Sequence, residues 1–266
     1  MLIMEKGSSF AIQSVKRATE ILSLFSLERP RLGITEISQL LALKKATVQG
    51  LIRTLAQQGF LQQDKESRKY ELGVKLYELG VVFSGGLEIN QKAQAPASRL
   101  AREVEQLVRV AIRNGDAAVV VLDALPRTEP LPFYSYGPRF PLYCTALGKA
   151  LLAFAEKEEI ASYLDRVKFT RYTPKTITRK EQLLRDLQET RKRGYAINQG
   201  EHLLARASVG APIFGRTGRV MASLSIGGDP RIFCRGEIEK FADAVMMTAS
   251  MISRRMGFDP GNPVGA

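Results

Sequence analysis

Residues 44–60, KKATVQGLIRTLAQQGF, carry side chains whose types and spacing suit contact with nucleic-acid bases. Their apolar residues recur at the spacing of one helix face, and they are Val48, Leu51, Ile52 and Leu55. The polar face of the same helix presents Lys44, Lys45, Thr47, Gln49, Gly50 and Arg53. Glutamine pairs with adenine and arginine with guanine in the major groove, while lysines suit phosphate oxygens or guanine edges. This face therefore predicts DNA binding.

Two features of this helix work against its stability in isolation. Gly50 stands in its middle, at a cost of about 1 kcal/mol relative to alanine. Lys44 and Lys45 stand at its start, where the helix dipole favours anions, and Gly59 is suited to end it in the left-handed conformation. Phosphate oxygens at the helix start would supply the anions, and a glycine would let the backbone approach a base pair. The alternative is that Gly50 faces solvent or a neighbouring helix.

The preceding and following segments have patterns that would position this helix. Residues 14–25 predict a first helix capped by Ser14, and residues 36–43 predict a second helix capped by Thr35. Residues 60–63 and 69–72 predict a hairpin around a polar tip, whose basic residues are Lys65, Arg68 and Lys69. Three helices and a hairpin make a winged helix-turn-helix domain, here residues 12–73. Such helix clusters also occur in proteins that bind no DNA, and the hairpin tip is alternatively a solvated turn.

The rest of the chain predicts an α+β domain built on an antiparallel sheet. A linker helix spans residues 74–89, a break at residues 84–86 marks the domain boundary, the second domain spans 90–258, and residues 259–266 form a flexible tail. Predicted helices are residues 92–106, 145–155, 180–193 and 230–256. Predicted strands are residues 108–113, 117–124, 131–136, 195–198, 208–214 and 220–226.

Composition narrows the class of protein. The chain has 266 residues, 45% hydrophobic and 25% charged, which predicts a soluble protein of two domains without a membrane span or secretory signal, in the cytoplasm. Two cysteines and one histidine give no support for a disulfide framework, a metal site, a cofactor or a histidine-dependent catalytic triad. The net charge of +12 suits an anionic partner, but residues 1–89 carry only 12 Lys and Arg against 9 Asp and Glu. The DNA prediction therefore depends on pattern rather than on bulk charge.

The sequence resembles one family of bacterial transcription factors, the isocitrate lyase regulator (IclR) family. The resemblance covers residues 12–257 and is carried by the segments QSVKRATEILSLF, GITEISQLLALKKATVQGLIRTLAQQGFLQQD, YELGVKLYELG, YCTALGKALLA, RGYAINQGEHLLARASVGAPIF and VMASLSIGG. It implies a GAF-like C-terminal domain that binds a small metabolite, often a carboxylic or aromatic acid. It also implies homodimers or dimers of dimers on palindromic operator DNA, associated with the bacterial nucleoid.

By this resemblance the effector site lies between a helix start and two late strands. The residues carried over are Thr145, Ala146, Leu147, Gly148, Asn198, Ser208, Ser225 and Gly227. Free N–H groups and the dipole at a helix start suit a carboxylate, and the strand residues add polar contacts. The chain departs from the family at Gly50, where an arginine or another polar residue is usual. It also departs at Asn198, where the family often has an acid, and at Ser208, where it often has cysteine.

Several of these residues have structural interpretations as well. Thr145 alternatively caps its helix, and Ser225 is alternatively a small core residue. Phe133, Tyr134 and Tyr136 are expected in the core or an interface, and Cys144 as a buried thiol. Glu201 is assigned a structural role and His202 a surface role, whereas Arg206 is a weaker candidate to pair with an anionic effector.

The leading functional hypothesis is an effector-controlled, sequence-specific transcription regulator, more often a repressor than an activator, with no catalytic residues. The first alternative is an enzyme in the C-terminal domain, with the N-terminal helices serving for oligomerisation. That alternative needs convergent titratable groups, but the late segments offer mostly Thr, Ser, Asn and Gly. The second alternative is a non-specific architectural DNA binder.

Overall fold

The computed structural model describes residues 11–126 and 137–261. Within them, the residues up to Ser84 form one compact unit, and those from Gly85 onward, except Gly137, form a second. Among these residues, no helix is long and apolar enough to cross a membrane. The predicted strand at 131–136, with Phe133, Tyr134 and Tyr136, lies outside the described residues, as do residues 262–266 of the predicted tail.

The first unit is a winged helix-turn-helix fold. Its elements in chain order are α1 (Gln13–Leu22), α2 (Ile34–Leu41), α3 (Lys45–Gln57), β1 (Leu61–Gln63), β2 (Tyr70–Leu72) and α4 (Val74–Gly86). The helices close over a core formed by Ile21, Leu32, Ile37, Val48, Ile52, Leu55 and Leu61. Strands β1 and β2 pair antiparallel, and Leu32 adds an isolated bridge to Tyr70. Gly59 ends α3 with φ of +75°, as its position predicts.

Both predicted helix caps in this unit are wrong. Helix α1 begins at Gln13, so Ser14 lies inside it, and it ends at Leu22 rather than at residue 25. Helix α2 begins at Ile34 with Gly33 at the cap position, so Thr35 lies inside it as well. The Glu36 carboxylate accepts a hydrogen bond from the Gly33 N–H at 2.6 Å, so the start of α2 is capped from within the helix.

The predicted break at residues 84–86 is also wrong. Helix α4 continues through Gly86, and the next helix begins only two residues later, at Glu88. Glycine is tolerated in this exposed turn because the helix needs no side-chain packing there: a Cβ at Gly85 or Gly86 would meet no atom within 4 Å. The two units nevertheless divide between Ser84 and Gly85.

The second unit is a curled antiparallel sheet with helices on both faces, as the α+β prediction requires. Its helices are α5 (Glu88–Val104), α6 (Ala146–Ala153), α7 (Lys157–Arg166), α8 (Lys180–Arg193) and α9 (Arg235–Arg255). Its strands are β3 (Leu107–Asn114), β4 (Ala117–Ala124), β5 (Arg139–Pro141), β6 (Ala196–Gln199), β7 (Ala207–Phe214) and β8 (Val220–Gly228). The strand order is β5-β4-β3-β8-β7-β6.

The two sheet faces carry different side chains because side chains alternate along each strand. Val110, Val209 and Leu224 point to the face covered by α5 and α9, in one large core. The opposite face is covered by α6, α7 and α8, and Ala111 and Leu151 belong to its core. Helix α5 starts four residues before its predicted start and α9 five residues after, while α7 and β5 lie in segments with no prediction.

Candidate nucleic-acid interface and effector site

Helix α3 buries one face and exposes the other. Val48 and Ile52 are fully buried against α1 and α2, and Leu55 is 9% exposed. The predicted DNA-contacting residues Lys44, Lys45, Gln49, Gly50 and Arg53 are all exposed, and Thr47 is half-buried. Thr54 and Gln57 lie on the same exposed face, one helical turn after Gly50 and Arg53. The sequence prediction omitted them, although the helical spacing contains the signal.

Four polar side chains of this face have no partner among the residues that the structure describes. Among the described residues, Lys44, Lys45, Gln49 and Arg53 have no side-chain hydrogen bond or ion pair. A set of exposed donors without internal partners is available to an external acceptor. Phosphate and base-edge oxygens and nitrogens are acceptors of the matching kind.

Gly50 is not required by packing. A Cβ at this position would meet no atom within 4 Å, so it faces open space rather than a neighbouring helix. The Gly50 carbonyl accepts a hydrogen bond from Thr54 Oγ1 at 3.0 Å. The space beside the Gly50 backbone is therefore open among the described residues, as the predicted approach of a base pair or a thymine methyl requires.

The three basic residues of the hairpin tip differ in their contacts with the rest of the first unit. Lys65 and Arg68 are exposed. Lys69 lies 3.2 Å from the Glu36 carboxylate, the group that caps α2, and the pKa of Glu36 is lowered by the Gly33 N–H and by Lys69. Lys69 therefore ties the hairpin to α2, which leaves Lys65 and Arg68 as the tip's candidates for phosphate contact.

The predicted effector residues on the strands share one face of the second sheet. Asn198, Ser208 and Gly227 are consecutive cross-strand partners on β6, β7 and β8. Ser225 lies two residues from Gly227, and Gly210 of β7 is its partner. Because side chains two residues apart point to the same face, these residues lie side by side on one face of the sheet. We call this surface the polar floor, and it consists of Asn198, Ser208, Ser225 and Gly227.

Helix α6 begins directly above this floor. A Cβ at Gly210 would lie 3.0 Å from the Ala146 carbonyl oxygen, which fixes the start of α6 against β7. The N–H groups of Ala146 and Leu147 have no backbone acceptor among the described residues. Free N–H groups at a helix start are of the kind that bind anions, so this helix start is a candidate anion site.

Thr145 and Gly148 have structural roles at this helix start. The Thr145 hydroxyl accepts from Gly148 N–H at 3.1 Å and donates to the Pro141 carbonyl at 2.8 Å, which favours its interpretation as a helix cap. A Cβ at Gly148 would lie 2.4 Å from the Leu142 Cα, so glycine is needed for close packing there. The open donors are those of Ala146 and Leu147.

Two of the four polar floor residues are buried, and Ser208 and Gly227 are half-buried. Asn198 is 5% exposed and Ser225 is 4% exposed. The Asn198 Oδ1 accepts from the Glu201 N–H at 2.9 Å, and its Nδ2 lies 3.4 Å from the Ser208 Oγ. Asn198 therefore turns its donor group, not its carbonyl, toward Ser208.

Ser223 is a floor-facing residue that sequence reasoning missed. It is fully buried, two residues from Ser225, and its hydroxyl has no hydrogen-bond partner among the described residues. The alternation of VMASLSIGG contains the signal, since Ser223, Ser225 and Gly227 are spaced by two.

A buried ion cluster supports the floor from the side of α6. The Lys149 Nζ lies 2.7 Å from Glu201 Oε1 and 3.2 Å from Asp186 Oδ2, and Lys149 is only 1% exposed. Burial raises the pKa of Glu201, and Lys149 opposes that rise. These contacts agree with a structural role for Glu201. Burial also raises the pKa of Cys144 to about 12, as expected for a buried thiol.

The surface role assigned to His202 is wrong. Its ring lies 4.7 Å from the ring of Tyr172 and 5.8 Å from that of Phe140, both edge to face, and burial lowers its pKa. Phe140 and His202 come from β5 and from the segment after β6, at opposite edges of the sheet. A flat sheet would separate those edges by about 24 Å, so this ring contact requires the curled sheet.

Arg206, the weaker candidate to pair with an effector, lies just before β7. It is exposed, and its charge, together with the stronger effect of Arg231, lowers the pKa of Asp229 to about 2. Arg206 therefore stays a weaker candidate to pair with an anionic effector.

Comparison with known proteins identifies both units. The model of the IclR helix-turn-helix domain matches residues 14–65, and that of the bacterial transcriptional regulator IclR C-terminal domain matches residues 83–254. The HTH-type transcriptional regulator XynR of Escherichia coli (strain K12) is 32% identical over 247 residues, covering 93% of this chain and 98% of XynR.

Solved structures agree in fold. Thermotoga maritima IclR matches with a TM-score of 0.73 and 29% identity, over 93% of this chain and 100% of that chain. An IclR homologue from Microbacterium hydrocarbonoxydans, complexed with 4-hydroxybenzoate, matches with a TM-score of 0.77 and 22% identity, over 91% of this chain and 98% of that chain. With matches that extend over both its DNA-binding fold and its curled-sheet domain, the chain belongs to the IclR family of bacterial transcriptional regulators.

Proposed function

We propose that this IclR-family regulator is a cytoplasmic repressor that binds a palindromic operator as a dimer or dimer of dimers and responds to a small carboxylic or aromatic acid. The observation that carries the DNA half of the proposal is the exposed face of α3, whose cations and amide have no partner inside the described protein. The observation that carries the effector half is the pair of open N–H groups at Ala146 and Leu147 above a buried polar floor.

In the DNA complex, α3 enters the major groove. Gln49 and Arg53 read base edges, Lys44 and Lys45 bind phosphate at the helix start, and Thr47 and Gly50 lie close to the bases. Lys65 and Arg68 on the hairpin tip bind the adjacent phosphates, and Lys69 holds the hairpin on α2.

Helix α4 supports the dimer. None of its residues is buried, and its large exposed apolar side chains are Val74, Tyr77, Leu79, Val81, Val82 and Phe83. A surface of this kind is stabilised by a second copy of itself, because pairing removes apolar area from water. A two-fold dimer presents two copies of α3, which matches a palindromic operator.

The effector is an acid because the site offers donors. Ala146 and Leu147 present backbone N–H groups, Asn198 presents its Nδ2, and Ser208 and Ser225 present hydroxyls. The relative from Microbacterium hydrocarbonoxydans was crystallised with 4-hydroxybenzoate, an aromatic acid, which supports this class of ligand.

Operator selection followed by substitution tests the DNA half. Duplexes selected from a random pool by the purified protein should share a palindrome, and Arg53→Ala should reduce the discrimination between the selected and mismatched duplexes by about 1–3 kcal/mol. Equal weakening on every duplex would reassign Arg53 to phosphate contact. Failure to select any sequence, together with steep salt dependence, would favour the architectural DNA binder.

A ligand screen tests the effector half. Organic and aromatic acids that raise the melting temperature should change operator affinity, and Ser208→Ala or Ser225→Ala should weaken that response without changing operator affinity in the absence of acid. Acids that bind without any effect on operator affinity would refute the coupling. Turnover of an acid by the protein would favour the enzyme alternative, for which the floor offers few titratable groups.

A further inference from the structure

Arg109 of β3 is a cation beside the polar floor, and the proposed function gives it no role. Its cross-strand partners are Ser225 on β8 and Asp123 on β4, so its side chain shares the face of Ser225. The Arg109 side chain is 24% exposed, which is little for an arginine. Arg109 is therefore a half-buried cation next to Ser225, a predicted ligand contact.

The guanidinium of Arg109 is held in one orientation. Its Nε donates to Asp123 Oδ1 at 2.9 Å, and its Cζ lies 5.5 Å from the centroid of the Phe140 ring. Its two Nη groups have no acceptor among the described residues. Guanidinium binds a carboxylate through two parallel N–H groups, and the Nη edge of Arg109 is free for that purpose.

Arg109 and the start of α6 lie at two ends of one small surface. Gly210, beneath the Ala146 carbonyl, pairs with Ser225, and Ser225 pairs with Arg109. Two strand spacings separate the Cα atoms of Gly210 and Arg109, a distance of about 10 Å. The surface between them carries Ser225, and next to it the fully buried Ser223, whose hydroxyl has no partner among the described residues.

We infer that the effector is a short dicarboxylic acid, bound at one end by the N–H groups of Ala146 and Leu147 and at the other by the Nη groups of Arg109. This inference rests on the proposed effector site and names its substrate class. Asp123 is a positioning residue, because it holds Nε and so orients Nη1 and Nη2 toward the ligand. A monocarboxylic acid leaves one of the two donor ends unsatisfied.

The test compares diacids with their monoamides, which keep the shape and remove one charge. Succinate, adipate and terephthalate, each beside its monoamide, are titrated calorimetrically into the wild-type protein and into Arg109→Gln. We expect at least one diacid to bind the wild type about 10- to 100-fold more tightly than its monoamide, and Arg109→Gln to abolish this preference while still binding the monoamide.

Arg113→Gln is the matched control. Arg113 lies on the same strand with 22% of its side chain exposed, but it pairs with Glu159 and sits four residues, about 13 Å, from Arg109. This variant should keep the diacid preference. Because Arg109→Gln breaks the ion pair with Asp123, the double variant Arg109→Gln/Asp123→Asn serves as a second test, and denaturant unfolding reports whether the second unit of each variant is folded.

The outcomes separate the two levels of the proposal. An unchanged diacid preference in folded Arg109→Gln, or equal affinity of the wild type for diacids and monoamides, overturns the role of Arg109 and leaves the acid-responsive regulator standing. Wild-type protein that binds no acid of either kind overturns the effector site and the inference together.

Discussion

Lys149 is almost completely buried, so the groups around it must stabilise its positive charge. It pairs with Glu201 and Asp186, so one cation lies against two carboxylates from different segments. Thr173 and Thr176 donate hydrogen bonds to the backbone carbonyls of residues 200 and 201 and hold the Glu201 segment in position. The ion cluster and these threonines thus hold the loop that contains His202, and the Glu201 N–H of that loop donates to the Asn198 Oδ1.

We expect Lys149→Met to destabilise the second unit by about 3–5 kcal/mol, because it leaves the largely buried Glu201 and the half-buried Asp186 without their cation. Denaturant unfolding of the wild type and the variant measures the change. Glu201→Gln in the Lys149→Met background should recover part of the loss. A loss below about 1 kcal/mol would mean that Glu201 and Asp186 are solvated or protonated at little cost once Lys149 is gone.

The single histidine predicts a pH dependence of stability. Burial lowers the pKa of His202 below 6.5, so on acidification the unfolded chain takes up this proton before the folded chain does. Its contribution to the free energy of unfolding therefore falls as the pH decreases below about 6.5. Burial of Glu201 has the opposite sign, because its raised pKa makes the folded state hold its proton more tightly.

Comparison with His202→Asn isolates the histidine effect. The difference in unfolding free energy between wild type and variant should shrink or reverse from pH 7 to pH 5. Parallel stability curves for the two proteins would mean that His202 titrates alike in the folded and unfolded chain.

Substitution of Gly50 by alanine adds one methyl group, and its effects on stability and on DNA binding can be measured separately. Because a Cβ there meets nothing within 4 Å, Gly50→Ala should raise the free energy of unfolding by up to about 1 kcal/mol. We expect operator affinity to fall in the same variant, since the methyl group occupies the space at the groove. Unchanged affinity on the selected operator would mean that Gly50 faces solvent in the complex.

Two glycines of the first unit, one in the turn before α4 and one inside α4, have opposite packing environments. A Cβ at Gly73 would lie 2.1 Å from the Gly59 carbonyl oxygen, whereas a Cβ at Gly80 in α4 would meet no atom within 4 Å. Gly73→Ala should therefore destabilise the unit by about 3 kcal/mol, and Gly80→Ala should stabilise it by about 1 kcal/mol. Thermal unfolding of both variants checks the contrast. Similar melting temperatures would mean that the turn before α4 shifts easily.

Elements with strong periodicity could be predicted from the sequence, and α8 and β4 match to the residue. Helix starts were less predictable, because Ser14 and Thr35 are good caps by type while the chain starts those helices one or two residues earlier. The glycines at 84–86 suggest a break by composition, yet an exposed helical turn accommodates them.

The candidate effector site could be predicted only in part, because some of its contacts depend on how the strands pair. Ser208, Ser225 and Gly227 were carried over from the family resemblance, and the alternation along β8 places Ser225 and Gly227 on one face. Arg109 beside Ser225, or Phe140 against His202, depends on strand register and on the curl of the sheet. Those contacts join residues far apart in the chain, and no local pattern encodes them.

For the complete protein, the proposed dimer depends on the exposed apolar side chains of α4. Its Val82 is 73% exposed and Tyr77 is 74% exposed. We expect Val82→Glu to weaken dimerisation by at least tenfold, because two like charges would meet across a two-fold interface. Sedimentation velocity at several concentrations measures it, and Glu78→Gln, an exposed change on the same helix, is the control. An undisturbed dimer would place the interface outside α4.

The glycines at the end of α4 also bear on exchange of amide hydrogens with solvent. Gly85 and Gly86 each lower helix stability by about 1 kcal/mol relative to alanine, and no packing offsets this, since a Cβ on either would meet nothing within 4 Å. Gln91 donates to the Gly85 carbonyl at 2.9 Å, which holds only one acceptor of this turn. The amides of this turn should thus open and exchange faster than those of the buried part of α5. Deuterium uptake at the junction between the two units is then a direct readout of whether effector binding stiffens it.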